Sequence, residues 1–166
     1  MTQATMFDRF SNLVRLNFAP THRQPAGPRV AFASAIALIG SLLADIGLVA
    51  IGRAAFPALK GYVHFQFHDY AKLTILGVIV ACVGWPIVCR ISSDPRWLFL
   101  RLAVVVTLVL FLPDLYILKQ GQPAKAVAVL MCMHVAIALV TYNALVRLAP
   151  VRARSSNAGG QMEITA

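Results

Sequence analysis

Residues 30–52 decide the fold, and they read VAFASAIALIGSLLADIGLVAIG. Apolar residues dominate this stretch, which is longer than the roughly 20 residues that a helix needs to cross the hydrocarbon core of a bilayer. Its one charged residue is Asp45. An Asp near the centre of a span opposes insertion by about 2.5–3.5 kcal/mol, whereas each Val, Ile, Leu or Phe favours it by about 0.3–0.6 kcal/mol. The eleven residues of these four types together contribute roughly 3–7 kcal/mol, so the stretch is predicted to insert as an uncleaved span.

Three further apolar blocks follow, over residues 70–89, 97–118 and 124–148. The whole chain is 59% hydrophobic and only 13% charged, with a mean hydropathy of +0.74. A water-soluble domain would instead alternate apolar and polar residues at the helical or strand period. Because lipid cannot hydrogen-bond to an exposed backbone, blocks of this kind cross the membrane as helices. The sequence therefore predicts an all-α, integral membrane four-helix bundle over residues 30–148.

The two ends of the chain are polar. Residues 1–29 form an arm in which apolar residues recur at near-helical spacing between charged ones. This pattern fits an amphipathic helix lying on the inner leaflet, and it fits a mobile arm equally well. Residues 149–166 are polar and contain glycine, which predicts a disordered tail.

Positive charge is distributed unevenly between the two ends of the predicted helices. Ten basic residues fall on one side, namely Arg9, Arg15, Arg23, Arg29, Arg90, Arg96, Arg101, Arg147, Arg152 and Arg154. Five fall on the other, namely Arg53, Lys60, Lys72, Lys119 and Lys125. Because Lys and Arg are enriched in cytoplasmic segments, both termini are predicted to be cytoplasmic, in a bacterial cytoplasmic membrane.

The net charge of +9 also bears on the partners of the chain. A basic balance of this size is common among proteins that bind nucleic acid. Here the charge lies at the ends of apolar spans, where it meets anionic headgroups. The lipid bilayer is therefore the expected partner, together with a second copy or another membrane protein, and no nucleic-acid partner is expected.

Polar residues inside the predicted spans mark the candidate site. Asp45, Asp114 and His134 lie in the first, third and fourth helices, between the outer face and the midplane when counted at about 1.5 Å per residue. Polar groups in a bilayer turn toward protein or water rather than lipid. The three are therefore expected to face the bundle interior as a candidate intramembrane polar cluster. Acids and imidazoles in membranes are typical of proton relays, although the same groups also hold helices together by hydrogen bonds.

Small residues in the second helix predict where helices meet. Thr74, Gly77, Ala81 and Gly84 fall within about 80° of one another at the helical period. Such a stripe allows backbones to approach closely in lipid, where packing replaces the hydrophobic effect between helices. The stripe is predicted to be a helix-packing seam.

The loop between the first two spans contains His64, His68 and Asp69, which are weak candidates for a zinc site. The two histidines have the i, i+4 spacing that places two ligands on one helical face. The sequence offers no fourth ligand, and residues 63–67 alternate in the manner of an extended segment. We predict no metal and no other cofactor.

Several short motifs resemble a known family. They are Gly84, Trp85 and Pro86, the turn over residues 90–97, the LPDL run over residues 112–115, and the LMCMHV run over residues 130–135. Together they resemble a family of small bacterial four-span membrane proteins that is catalogued as a domain of unknown function. The resemblance covers residues 30–148. It implies the four-span fold and no activity, cofactor or catalytic residue.

Three functions remain open from the sequence. The favoured interpretation is a structural or partner-binding bundle in which the polar residues bind helices to one another. The alternative is a small proton-coupled transporter that works as a dimer through Asp45. The third is a membrane enzyme that uses His134 and the acids on a quinone or lipid, although no nucleophile with a paired base is evident.

Overall fold

The computed structural model describes residues 24–59 and 61–151. Most of the arm and most of the tail lie outside these ranges. The predictions of an amphipathic arm and of a disordered tail therefore concern residues that the structure does not describe.

Four long helices make up the described chain. Their bounds are α1 Gly27–Ala55, α2 Phe67–Ile91, α3 Pro95–Lys119 and α4 Ala124–Leu148. Two short 3₁₀ turns, Pro57–Leu59 and Val63–Phe65, connect α1 to α2. Each of the four helices is long and apolar enough to cross a membrane. The predicted all-α, four-span architecture is confirmed.

Local chemistry sets the helix ends. Pro95 opens α3, a position where the missing N–H of proline leaves no hydrogen bond unmade. Asp94 caps the same helix, because its Oδ1 accepts a hydrogen bond from the Trp97 N–H at 3.3 Å. The chain turns from α3 into α4 at Gly121, whose φ of +87° is a left-handed conformation that glycine adopts without strain.

α4 is the central helix of the bundle, because it packs on all three of the others, most extensively on α1 and next on α3. α1 also packs on α2, and it makes little or no contact with α3. We call the end where α1 and α3 begin and α2 and α4 end the Trp85 end, because a buried cluster around Trp85 fills it. We call the opposite end the Phe65 end, where the buried ring of Phe65 packs between the helices. The two 3₁₀ turns lie at the Phe65 end.

Small residues of α1 make close contacts with α4. Its buried positions recur mostly every fourth residue, at Ala33, Ala37, Ser41, Asp45, Val49 and Gly52. A Cβ atom added to Gly40 would lie 2.9 Å from Cγ1 of Val140, and one added to Gly52 would lie 3.1 Å from Cγ2 of Val129. The seam between α1 and α4 is therefore built on small residues that bring the two backbones together.

The stripe predicted on α2 lies along the border of the buried side of that helix. Thr74 is buried and Ala81 is half-buried, but a Cβ atom added to Gly77 or Gly84 would meet nothing within 4 Å. The buried side of α2 is instead defined by larger residues such as Val78 and Trp85. Within one chain, the glycines of α2 thus do not form the predicted seam. The spacing of the glycines identified a face of α2 that is made of small residues. It did not show whether that face packs against another helix of the same chain.

Little of α3 is buried. Only Pro95, Leu98, Phe99 and Asp114 lie in the interior. The remaining apolar side chains form a broad exposed surface that includes Val105, Leu108 and Leu112. Such a surface is stable against lipid acyl chains and unfavourable against water.

Candidate functional site

Asp45 is fully enclosed near the middle of α1. Oγ1 of Thr74, on α2, donates a hydrogen bond of 2.6 Å to its Oδ2. Its Oδ1 is also shielded and has no hydrogen-bond partner among the described residues. Asp45 therefore joins α1 to α2 through one short hydrogen bond, in a medium where a polar group without a partner is costly.

A second polar contact lies one helical turn earlier on α1. The hydroxyl groups of Ser41 and Thr141 are 3.3 Å apart, and both residues are buried. This contact joins α1 to α4. Because Ser41 and Asp45 are four residues apart, the polar stripe of α1 bonds to two neighbouring helices at adjacent levels.

The third polar contact joins α3 to α4. Nε2 of His134 lies 3.3 Å from Oδ2 of Asp114. The carboxylate is buried, and the imidazole is about one-fifth exposed. The contact does not have hydrogen-bond geometry, so the attraction within this pair is electrostatic when the imidazole is protonated. Phe111 lies beside the imidazole, with a separation of 6.4 Å between ring centroids.

Two further residues lie near this pair at the Phe65 end, and neither was identified as a candidate functional residue from the sequence. The Tyr62 hydroxyl is shielded and lacks a hydrogen-bond partner among the described residues. Burial, and after it the nearby negative charge of Asp114, raise the pKa of the Tyr62 phenol. Arg53 donates a hydrogen bond of 2.7 Å from Nη2 to the backbone oxygen of Phe65, which holds the loop against α1.

The loop placed Tyr62 near Asp114 although 52 residues separate them in the chain. In the sequence, Tyr62 is one of four aromatic residues between positions 62 and 70, and such a group is typical of a membrane interface. The sequence signal that could have distinguished Tyr62 is the adjacent run of apolar and aromatic residues. Phe65, in this run, is buried in the core, and Tyr62 packs against that core. The two rings meet edge to face at 5.1 Å.

The three residues of the predicted polar cluster therefore fall into two places. Asp114 and His134 form a pair, whereas Asp45 contacts Thr74. Between residues 24 and 151, apart from residue 60, no hydrogen bond or ion pair connects Asp45 to either member of that pair. All three lie toward the interior, as expected for polar groups that avoid lipid.

The weak zinc candidates do not converge. His68 contacts Asp69 at 3.2 Å, with both side chains well exposed. His64 instead packs against the ring of Tyr62. In the described part of the chain, no group of three His, Cys, Asp or Glu residues is arranged to hold a metal ion.

Two shallow grooves lie at the ends of the bundle. One, of about 430 Å³, is formed by the start of α3 and the end of α4, and the other, of about 470 Å³, by the end of α1 and the start of α4. Asp45, Asp114 and His134 line neither of them. The buried polar contacts are thus separate from the grooves that a ligand could enter.

Comparison with known proteins adds one match. The model of a family described as "Family of unknown function (DUF6069)" matches residues 25–151, which include all four helices. No curated protein and no solved structure matches the chain.

Proposed function

We propose a non-enzymatic role for this chain, which belongs to the DUF6069 family of unknown function: a structural or partner-binding bundle of the bacterial cytoplasmic membrane. The family resemblance noted from the sequence is confirmed, and it extends over the four spans. The observation that carries the proposal is the enclosure of Asp45, whose exposed fraction is 0%.

An acid that carries protons or cations must be reached by them. Asp45 is covered on α1 by Ser41 and Val49, which are themselves buried, and it accepts a hydrogen bond from Thr74. Neither groove leads to it along its lining residues. This environment supports a role in holding helices together, because interhelical hydrogen bonds stabilise a bundle in lipid by about 1 kcal/mol each.

The exposed surfaces of the described helices have the composition expected of surfaces that contact lipid. The apolar face of α3 fits acyl chains, and the basic residues at the helix ends fit headgroups. Because the basic residues lie at the ends of apolar helices, we expect them to meet lipid headgroups and not nucleic acid. A second copy or another membrane protein remains a proposed partner, to be identified by mass spectrometry of the protein purified in mild detergent.

Replacing Asp45 by Asn tests the structural role. The amide oxygen still accepts the hydrogen bond from Thr74, and the titratable proton is gone. We expect the thermal stability in detergent to change by less than the roughly 1–3 kcal/mol that an unsatisfied buried polar group costs. Thr74→Val is the matched control, because it keeps the shape of Thr74 and removes the donor, and it should lower stability by about 1–3 kcal/mol.

The same variant also tests the transporter alternative. The wild-type and Asp45→Asn proteins are reconstituted in vesicles that contain a pH-sensitive dye, and proton release on addition of candidate cations is measured. A stable Asp45→Asn protein that loses a proton flux shown by the wild type would replace the structural role with the transporter alternative.

The proposed orientation has its own test. A cysteine at His64, an exposed loop residue, should react with a membrane-impermeant maleimide on intact cells, and a cysteine at Ser155 in the tail should not. The prediction follows from the ten-to-five distribution of basic residues. The unsubstituted chain, which has three native cysteines, gives the background, and permeabilised cells should label both variants. Labelling of the tail in intact cells would reverse the orientation.

A further inference from the structure

The groove of about 430 Å³ at the Trp85 end has a distinct chemistry. It is lined by Arg96, Tyr142, Asn143, Val146, Arg147 and Pro150. Two guanidinium groups, a phenol and an amide thus surround one open groove whose remaining wall is apolar. Arg96 lies in the first turn of α3, and Arg147 lies in the last turn of α4.

Neither arginine is neutralised by a carboxylate in the described ranges. The ion pairs found there join His68 to Asp69 and His134 to Asp114. Arg96 and Arg147 are both exposed, so their N–H groups are available to a ligand. The Asn143 amide donates to the backbone oxygen of Leu139 at 2.8 Å. The Tyr142 hydroxyl donates to the backbone oxygen of Arg96 at 3.4 Å. The donors that remain are therefore mainly the two guanidinium groups, which are suited to a phosphate.

Packing fixes the wall of the groove. The ring of Tyr142 stacks on Phe99 with 6.0 Å between centroids, and Phe99 in turn packs on the buried Trp85 at 5.1 Å. Nε1 of Trp85 donates a hydrogen bond of 2.9 Å to the backbone oxygen of Ala149, immediately before Pro150. The groove therefore lies beside the buried cluster of the Trp85 end.

The position of the groove corresponds to the headgroup level of a membrane. The guanidinium of Arg101 lies 3.9 Å above the ring of Trp97, and Trp and Arg are both typical of the membrane interface. From Arg96, α3 continues directly into exposed apolar residues that begin with Leu100 and Leu102. A ligand with its phosphate in the groove would therefore have an apolar helix surface beside it.

We propose that this groove binds the phosphate of an anionic phospholipid through Arg96 and Arg147, with the acyl chains lying along α3. Phosphate accepts paired N–H bonds from guanidinium groups, and the second positive charge favours a headgroup that retains a net negative charge. The proposal rests on the insertion of the four helices in a membrane, and it does not depend on the role proposed for the bundle.

The test is lipid titration of the full-length protein in mild detergent, followed by native mass spectrometry. Phosphatidylglycerol, phosphatidylcholine and inorganic phosphate are the three probes. We expect phosphatidylglycerol to bind about tenfold more tightly than phosphatidylcholine, since a basic cluster discriminates by headgroup charge. Inorganic phosphate should compete only weakly, because it lacks the acyl chains.

A matched pair of double variants distinguishes the groove from general surface charge. Arg96→Gln with Arg147→Gln should weaken phosphatidylglycerol binding about tenfold. Arg90→Gln with Arg101→Gln removes the same charge at the same end but outside the groove, and it should weaken binding by less than about twofold. Equal losses in both double variants would overturn the proposal, as would inorganic phosphate that competes at the affinity of the lipid.

If the double glutamine variant does not fold, replacing the same two arginines by lysine still tests whether the groove binds phosphate. Arg96→Lys with Arg147→Lys preserves the charge and removes the paired geometry of the guanidinium. Thermal unfolding in detergent verifies that each variant is folded. A loss of affinity of about threefold or more in the lysine variant supports guanidinium recognition, and unchanged affinity contradicts it.

Discussion

Replacing Trp85 by Ala is expected to lower the free energy of unfolding by about 3–5 kcal/mol, the range seen when a large buried aromatic residue is truncated. The Trp85 side chain is fully enclosed at one end of the bundle and packs against Phe99. Its indole N–H also bonds to the backbone oxygen of Ala149, which is itself buried. Truncation therefore opens a cavity and leaves a buried acceptor without its donor. Unfolding with increasing SDS in mixed micelles measures the change.

Two controls separate the causes of this loss. Trp85→Phe retains much of the ring volume and removes the N–H group, so it should cost about 1–3 kcal/mol through the unsatisfied oxygen of Ala149. Trp97→Ala removes the second tryptophan of the same end, which is only half-buried, and it should cost less than Trp85→Ala. If the two alanine variants lose the same stability, the Trp85 end is not the packed core described above.

Replacing Gly40 by Leu should also destabilise the bundle strongly, by about 1–3 kcal/mol or more, because extra volume in a filled contact forces neighbouring elements apart. A single added carbon at Gly40 would already lie 2.9 Å from Val140, which is closer than non-bonded carbons approach. Gly77→Leu is the matched control. A Cβ atom there meets nothing within 4 Å, and the gain in helix propensity from Gly to Leu is common to both variants. Thermal unfolding in detergent compares them.

The contrary result would be informative about assembly. If Gly77→Leu lowers stability as much as Gly40→Leu, the outward face of α2 must meet another surface in the purified protein. The stripe predicted from the sequence would then be a seam between two chains. Sedimentation of the wild type and of Gly77→Leu in the same detergent would show whether the loss of stability accompanies dissociation.

The sequence was sufficient for the elements of this fold because the bilayer leaves few choices. A long apolar block must be helical, since only a helix satisfies its own backbone in lipid. The cost of a polar group in lipid is likewise the reason why Asp45 and Asp114 were expected to face the interior, and both residues are buried. These predictions depended on the solvent and not on knowledge of the neighbouring helices.

The neighbours themselves could not be predicted in the same way. A water-soluble helix has one apolar face, which identifies the side that packs, whereas the helices of this chain are apolar on nearly all sides. The sequence therefore did not show that Asp45 would contact Thr74, nor that Gly77 would point outward. The position of Tyr62 near Asp114 depended on the path of a loop anchored by Arg53.

The shallow burial of α3 has a consequence for how the sequence of this protein can change over time. A residue of α1 at the seam is constrained by the shape of α4, so that even one methyl group matters at Gly40. In a membrane, the exposed apolar side chains of α3 would meet the fluid tails of lipids, which adapt to any apolar outline. Random substitution should therefore exchange Val, Leu, Ile and Phe freely along the exposed part of α3, where selection should act on hydrophobicity and not on particular side chains. The exceptions should be the interior residues Pro95, Leu98, Phe99 and Asp114, together with Arg96 of the proposed lipid groove.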